Sequence, residues 1–299
     1  MRPYAAILSV LLAFLLPRAV LAQVTSYPDC TVLHARYASG AEQVPALLVV
    51  PKTASKAHPT PCLFLLHGLG MDKEEMLPLA RIEAQAGYAS FIIDLPGMGE
   101  RKPAKPPVYT SAAQLTAAIA QTMTEAVADL RAGFGFLAEH PDVDARRIGV
   151  VGLSLGSLIG VDFAAEEPRV KAVALVASGG GMGEILTNLA LKKTSLGARY
   201  GAVILQDSPA QLEAGLEAVD PLRHIAQIAP RPLLMENGTA DDIIPPSAAQ
   251  ALYAAAGQPK QIDWFPGEGH IPNPLIAYAD LDAFLTRNFP AGSLKTASR

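Results

Sequence analysis

The run GLSLG at positions 152–156 places Ser154 two residues after Gly152 and two before Gly156, directly behind the β-branched stretch IGVV. A strand that reverses into a helix there holds the serine at a strained, exposed apex, and glycines flank it because side chains would collide with neighbouring backbone. Alone, a G-x-S-x-G string arises by accident about one time in ten in a chain of this size, and then Ser154 would be an ordinary turn serine. The rest of the chain raises its weight. A hydroxyl nucleophile needs a base to take its proton and a carboxylate to orient that base. Downstream, RPLLMENGTADDIIPP (231–246) reads as a buried strand ending at Gly238 and delivering Asp241 and Asp242. The next strand-like run, QIDWFPGEGH (261–270), delivers His270 into a loop with Gly267 and Gly269. Upstream, LFLLHGLG (63–70) is an apolar strand that breaks into His67-Gly68-Leu69-Gly70, a loop suited to aim backbone N–H groups at a developing oxyanion. Leu69 and Leu155 are the expected donors. His67, next to Gly68, is expected to brace the loop rather than move protons, and His224 falls within a helical stretch. The pattern is that of nucleophilic acyl transfer.

These groups must be carried to one place. Residues 31–38 and 43–50, separated by Ser39-Gly40, read as an antiparallel hairpin, after which strand and helix alternate. Strands are expected at 62–66, 88–94, 147–151 and 170–178, with helices near 73–86, 111–139 and from the serine to about 166, and a last helix at 275–288. Parallel strands that each release one polar group at their carboxyl ends place those groups along a single sheet edge, where open α/β folds build their sites. The Pro-rich, basic stretch 97–107 reads as a surface loop and a candidate rim. Ser178-Gly179-Gly180-Gly181 lacks the Lys-Ser/Thr ending of a phosphate loop and reads instead as a flexible lead into the next segment. Residues 181–220 have helical spacing but no strand, with Ile185, Leu186, Leu189 and Leu191 largely able to share one face.

The HG-x-G loop, the GLSLG turn, the GTADD turn and the GEGH loop together resemble the α/β-hydrolase superfamily, over nearly the whole chain beyond residue 22. VPALLVVPK (44–52), DLPGMGER (94–101) and DPLRHIAQIAPRPLL (220–234) are similar to dienelactone-hydrolase and acetyl-xylan-esterase-like carboxylesterases. Dienelactone hydrolases carry a cysteine nucleophile where this chain has Ser154, so their substrate is not carried over. The resemblance implies an α/β fold: a mostly parallel central sheet with an N-terminal antiparallel hairpin, helices on both faces, and a small helical cap over 181–220. It implies Asp241 rather than Asp242 as the acid, since the superfamily's acid usually stands three residues after the glycine. The activity implied is hydrolysis of a small-molecule carboxylic ester, of short to medium acyl length, by Ser154, His270 and Asp241 without a cofactor. A peptidase or amidase on the same scaffold, and a non-catalytic binding protein of this fold, are the alternatives. The first would want a large extra domain to sort peptides; the second would normally have lost a triad member.

The chain's 299 residues, half of them hydrophobic, fit one α/β domain over 23–299. Residues 1–22 read as a signal peptide: Arg2, the apolar run YAAILSVLLAFLL, then Val20-Leu21-Ala22 before the cut. Export to the periplasm or medium is expected. The apolar core is shorter than the ~20 residues of a membrane span, so no stable membrane anchor is expected. The net charge of −4 becomes more negative when Arg2 and Arg18 leave with the leader, which argues against nucleic-acid partners. His and Cys lack metal-ligand spacing, so no metal is implied. Cys30 and Cys62 are either disulfide-bonded or two buried thiols, and the tail GSLKTASR is expected to fray. Nothing in the sequence sets the oligomeric state.

Overall fold

The computed structural model describes residues 19–192 and 194–291, so most of the expected leader and the tail 292–299 lie outside the described residues. In chain order the elements are β1 (Ala19–Ser26), β2 (Cys30–Ser39), β3 (Glu42–Pro51), β4 (Thr60–Leu66), α1 (Leu77–Gln85), β5 (Ala89–Ile93), α2 (Ala112–Ala138), β6 (Val143–Leu153) and α3 (Leu155–Glu166). Then come β7 (Val170–Val176), α4 (Met182–Leu191), α5 (Ser195–Ile204), α6 (Pro209–Leu216), α7 (Pro221–His224), β8 (Leu233–Gly238), α8 (Pro246–Ala255), β9 (Lys260–Phe265) and α9 (Pro274–Asn288). The nine strands form one sheet in the order β1-β2-β3-β5-β4-β6-β7-β8-β9. Pairing is antiparallel from β1 through β3 to β5 and parallel from β5 onward. This is the α/β-hydrolase fold.

The central strands are buried on both faces, so they read as unbroken apolar runs. On β4, Cys62, Phe64 and Leu66 join one core layer while Leu63 and Leu65 join the other. The first layer also takes residues from α2, α3 and α8, and the second from α1 and α9. Phe64 anchors the larger layer, its ring 5.1 Å from Phe91 and 5.3 Å from both Phe134 and Phe163. The expected hairpin is present, with Ser39 paired to Glu42 across the turn.

Three features differ from the sequence reading or settle what it left open. An extra strand, β1, runs antiparallel to β2 and begins at Ala19, ahead of the expected leader boundary; its register breaks between Leu21 and Gln23, and Gln23 through Ser26 pair with His34 through Thr31. Cys30 and Cys62 are free and buried. They lie on opposite faces of the sheet, and β3 and β5 intervene between their strands, too far for a disulfide. The Ser178–Gly181 stretch is not a loose lead-in. A Cβ on Gly179 or Gly180 would come within 2.5 Å of Ile244 or Leu222, and the Asp220 carboxylate accepts from the N–H groups of Gly181 and Met182 at 3.1 and 2.5 Å. Those glycines serve close packing. Among the described residues no helix is long and apolar enough to cross a membrane, and no group of three or more His, Cys, Asp or Glu is placed to hold a metal ion.

Packing α9 onto the sheet brings carboxyls together. Glu236 on β8 is buried with neither carboxyl oxygen hydrogen-bonded, and burial, Asp280 and Asp263 raise its pKa to about 8. Glu83 on α1 is likewise raised to about 8 by burial and Asp282. Because the folded-state values lie above the unfolded ones, both groups contribute stability that is full below the ordinary glutamate range and is lost as pH rises through about 8. Glu236→Gln is therefore expected to melt above the parent protein by a margin that widens from pH 5 to pH 9. Thermal melts at the two pH values check this, and a constant margin would remove ionisation of Glu236 as the cause.

Candidate active site

β6 ends at Leu153, and the chain reverses at Ser154, which has φ 52 and ψ −117 and caps the N-terminus of α3. Only Ser154 and Ala177 among the described non-glycine residues have positive φ. They sit side by side, for Leu153 pairs with Val176 and the Ser154 N–H donates to the Val176 carbonyl at 2.9 Å. Strain of this kind persists only where surrounding structure over-determines it. Here α3 lies so close to β4 that a Cβ on Gly156 would be 2.2 Å from the Leu66 carbonyl oxygen. Glycine at 156 is a steric necessity.

The acid and the histidine arrive by an equally close approach. A Cβ on Gly238, at the end of β8, would lie 2.2 Å from the Gly269 carbonyl oxygen. The Ala240 N–H donates to Glu268 O at 2.8 Å, and the Gly267 N–H to Thr239 Oγ1 at 2.8 Å. So joined, the two loops set Asp241 beside His270. Nδ1–H of His270 donates to Asp241 at 2.9 Å (Oδ2) and 3.1 Å (Oδ1), while Nε2 accepts from the Ser154 hydroxyl at 2.8 Å. Asp241 is buried, and its Oδ1 also accepts from the N–H groups of Ile243 and Ile244 at 2.8 and 3.0 Å. Asp242 points elsewhere: its side chain is 65% exposed and faces Lys192 Nζ at 3.7 Å. The structure thus brings Ser154, His270 and Asp241 into one hydrogen-bonded line and leaves Asp242 out.

The 67–70 loop lies against this line, with Gly68 placed so that a Cβ would meet the Ser154 Cβ at 3.5 Å. The Leu155 N–H is at the first turn of α3, where helix N–H groups have no intrahelical partner and the dipole favours negative charge. Among the described residues neither Leu69 nor Leu155 donates its N–H to another protein group outside a helix or strand. Buried His67 braces the loop: Nδ1–H donates to Gly68 O at 2.9 Å and Nε2 accepts from the Leu95 N–H at 3.1 Å. Burial lowers its pKa, which keeps the ring neutral and able to accept. His224 instead pairs with Asp162 at 2.8 Å, away from the line.

One residue of this scaffold escaped the sequence reading. Asp94, fully buried at the end of β5, accepts from the Lys73 N–H at 2.9 Å, the Lys73 ammonium at 3.0 Å and the Glu100 N–H at 2.9 Å. It ties the segment after the 67–70 loop to the DLPGMGER loop. Burial pulls the Lys73 pKa down, but hydrogen bonds to Glu100 and Asp94 outweigh it and hold the group above its ordinary value. A carboxylate closing an apolar strand just before Pro-Gly was the available signal.

A family model described as the alpha/beta hydrolase family matches residues 63–281. An uncharacterized protein of Mycobacterium tuberculosis is 33% identical over 169 residues; the match covers 55% of this chain, and the chain spans about half (54%) of that relative's length. Esterase YjfP of Escherichia coli K12 is 25% identical over 254 residues, 81% of this chain and 93% of that one. Among solved structures, acetyl xylan esterase 1 from Thermoanaerobacterium sp. JW/SL YS485 superposes with a TM-score of 0.70 over 90% of this chain and 87% of that chain at 20% identity, a likeness of fold.

The geometry separates the two adjacent aspartates. Asp241→Asn is expected to slow labelling of Ser154 by a serine-reactive phosphonate by about 10³- to 10⁴-fold, because an amide holds the wrong imidazole tautomer. Asp242→Asn should stay within about threefold of the parent. Labelling rates followed by intact mass decide it, and equal damage from both would reject Asp241 as the orienting acid.

Proposed function

The chain belongs to the alpha/beta hydrolase family, and from that premise we propose that it hydrolyses carboxylic esters through a covalent acyl-enzyme on Ser154. The observation that carries the reading is the unbroken line Asp241–His270–Ser154, ending on a hydroxyl held at the strained turn. The similarity to Esterase YjfP along 81% of this chain supports ester chemistry.

The Ser154 oxygen attacks the ester carbonyl carbon as His270 Nε2 takes the hydroxyl proton, and Asp241 stabilises the resulting imidazolium. The N–H groups of Leu69 and Leu155 receive the carbonyl oxygen as it becomes an oxyanion. Collapse of this intermediate breaks the bond to the leaving alkoxide, which takes the proton from His270. Water then attacks the acyl-enzyme, giving its proton to His270, and that proton returns to Ser154 as the acid departs.

The acyl group is short to medium. The cap consists of three short helices, α4 to α6, and its apolar face is already occupied: Ile185 and Leu186 are buried in the main core, while Leu191 is 67% exposed. The exposed side chains of Leu69, in the 67–70 loop, and of Ile271, next to His270, are the apolar surface available to a short acyl group. Export is part of the reading, supported by the leader-like residues 1–22. Cleavage after Ala22 leaves Gln23–Ser26 still paired with β2.

Ser154→Ala is expected to cut turnover of p-nitrophenyl esters by about 10⁴- to 10⁶-fold with little change in melting temperature. An acyl-length series run beside peptide amides should show activity on the esters, peaking at short to medium length. Amide turnover that exceeded ester turnover would favour a peptidase, and no turnover of either an inert binder. Separately, N-terminal analysis of the exported protein should give Gln23, and an N-terminus at Met1 would refute cleavage.

A further inference from the structure

Two side chains at the α4 end of the cap reach the acid loop, Asn188 and Lys192, and only Asn188 bonds its backbone. Asn188, on α4, donates from Nδ2 to the carbonyl oxygens of Asp242 at 2.7 Å and Ile243 at 2.9 Å. Those same two peptide groups, 242–243 and 243–244, turn their N–H ends to Asp241 Oδ1, donated by Ile243 at 2.8 Å and Ile244 at 3.0 Å. Each peptide group is therefore held at both ends, its C=O by Asn188 and its N–H by the carboxylate that orients His270. Peptide dipoles aligned in this way reinforce one another in a partly buried setting. Both neighbours of Nδ2 are acceptors, so only an amide or another donor fits at 188.

The cap is also attached at a second point. Tyr200 on α5 donates to Pro107 O at 2.8 Å and packs against Tyr109, which fixes the cap to the exposed 102–108 segment. The exposed Lys192–Asp242 pair adds little, as surface ion pairs do. Asn188 is the contact that reaches the acid.

We propose that Asn188 is a positioning residue for the acid of the triad: by clamping the 242–243 and 243–244 peptide groups it aims their N–H donors at Asp241 and so fixes the carboxylate under His270. This rests on the esterase reading above and deepens it, since the cap then sets the reactivity of the site as well as covering it.

Asn188→Leu keeps the size of the side chain and removes both donors. It is expected to lower kcat on a short-chain p-nitrophenyl ester by about 10- to 100-fold with KM within about threefold, since small misplacements of catalytic groups cost on this scale. It should also displace or broaden the downfield proton resonance of His270 Nδ1–H. That resonance needs no substrate, so a parent protein that hydrolysed no ester would sink the esterase reading while leaving this one testable. Melting curves check the fold, and Asn188→Ala, which also removes both donors, is read in the same way if the leucine variant does not fold. A folded variant with kcat within twofold of the parent, a change in KM alone, or an unmoved His270 resonance would overturn the proposal.

Discussion

The tight reversal at Ser154 is the constraint around which the structure is arranged. A non-glycine residue at φ 52 costs on the order of 1–3 kcal/mol and is held there by its neighbours. The Ser154 N–H is tied to β7, α3 begins immediately, and Gly156 presses against the end of β4. That last contact sets the spacing between the serine and the 67–70 loop, because β4 runs straight into that loop. A fault at the turn would therefore disturb the Ser154 hydroxyl and the neighbouring N–H groups together.

Around this turn Asp241, Asp94 and His67 are satisfied by fixed protein partners. Asp241 takes two backbone N–H groups and the imidazole, Asp94 takes two backbone N–H groups and an ammonium, and His67 is bonded at both ring nitrogens. Such preorganisation means little reorientation is needed when charge develops. Where α1 and α9 meet the sheet the opposite holds. Glu83 and Glu236 are buried beside other carboxyls with oxygens left unpaired, and they are tolerated because burial keeps them protonated at neutral pH. The site is electrostatically finished, whereas the docking of α9 is held at a margin that depends on pH.

The segment between β7 and β8 plays more than one part. Its helices complete the main core through Ile185, Leu186, Ile204, Leu212 and Leu216, so it is not a detachable cover. Its entry is packed by glycines and closed by Asp220, and its contacts reach both the acid loop and the 102–108 segment.

Local sequence determined the sheet, the sharp turn and the candidate site groups, because each depends on short-range rules: apolar runs for buried strands, glycines where backbones nearly touch, and a polar group where each strand ends. The hairpin, the alternation of strand and helix, and the turns that bring Ser154, His270 and the Asp241-Asp242 pair to one edge were legible for that reason. Choosing Asp241 over Asp242 needed the family pattern, since adjacent residues of one type differ only in where the turn points them; the fold sends one to His270 and the other to Lys192. The state of the cysteines was decided by strand order and by which face each occupies, neither of which spacing reveals. β1 was hidden because the reading of residues 1–22 as a leader removed its first half from consideration. Asp94 and Asn188 act through partners 21 and at least 54 residues away in the chain, and only the tertiary structure brings those partners within hydrogen-bonding distance.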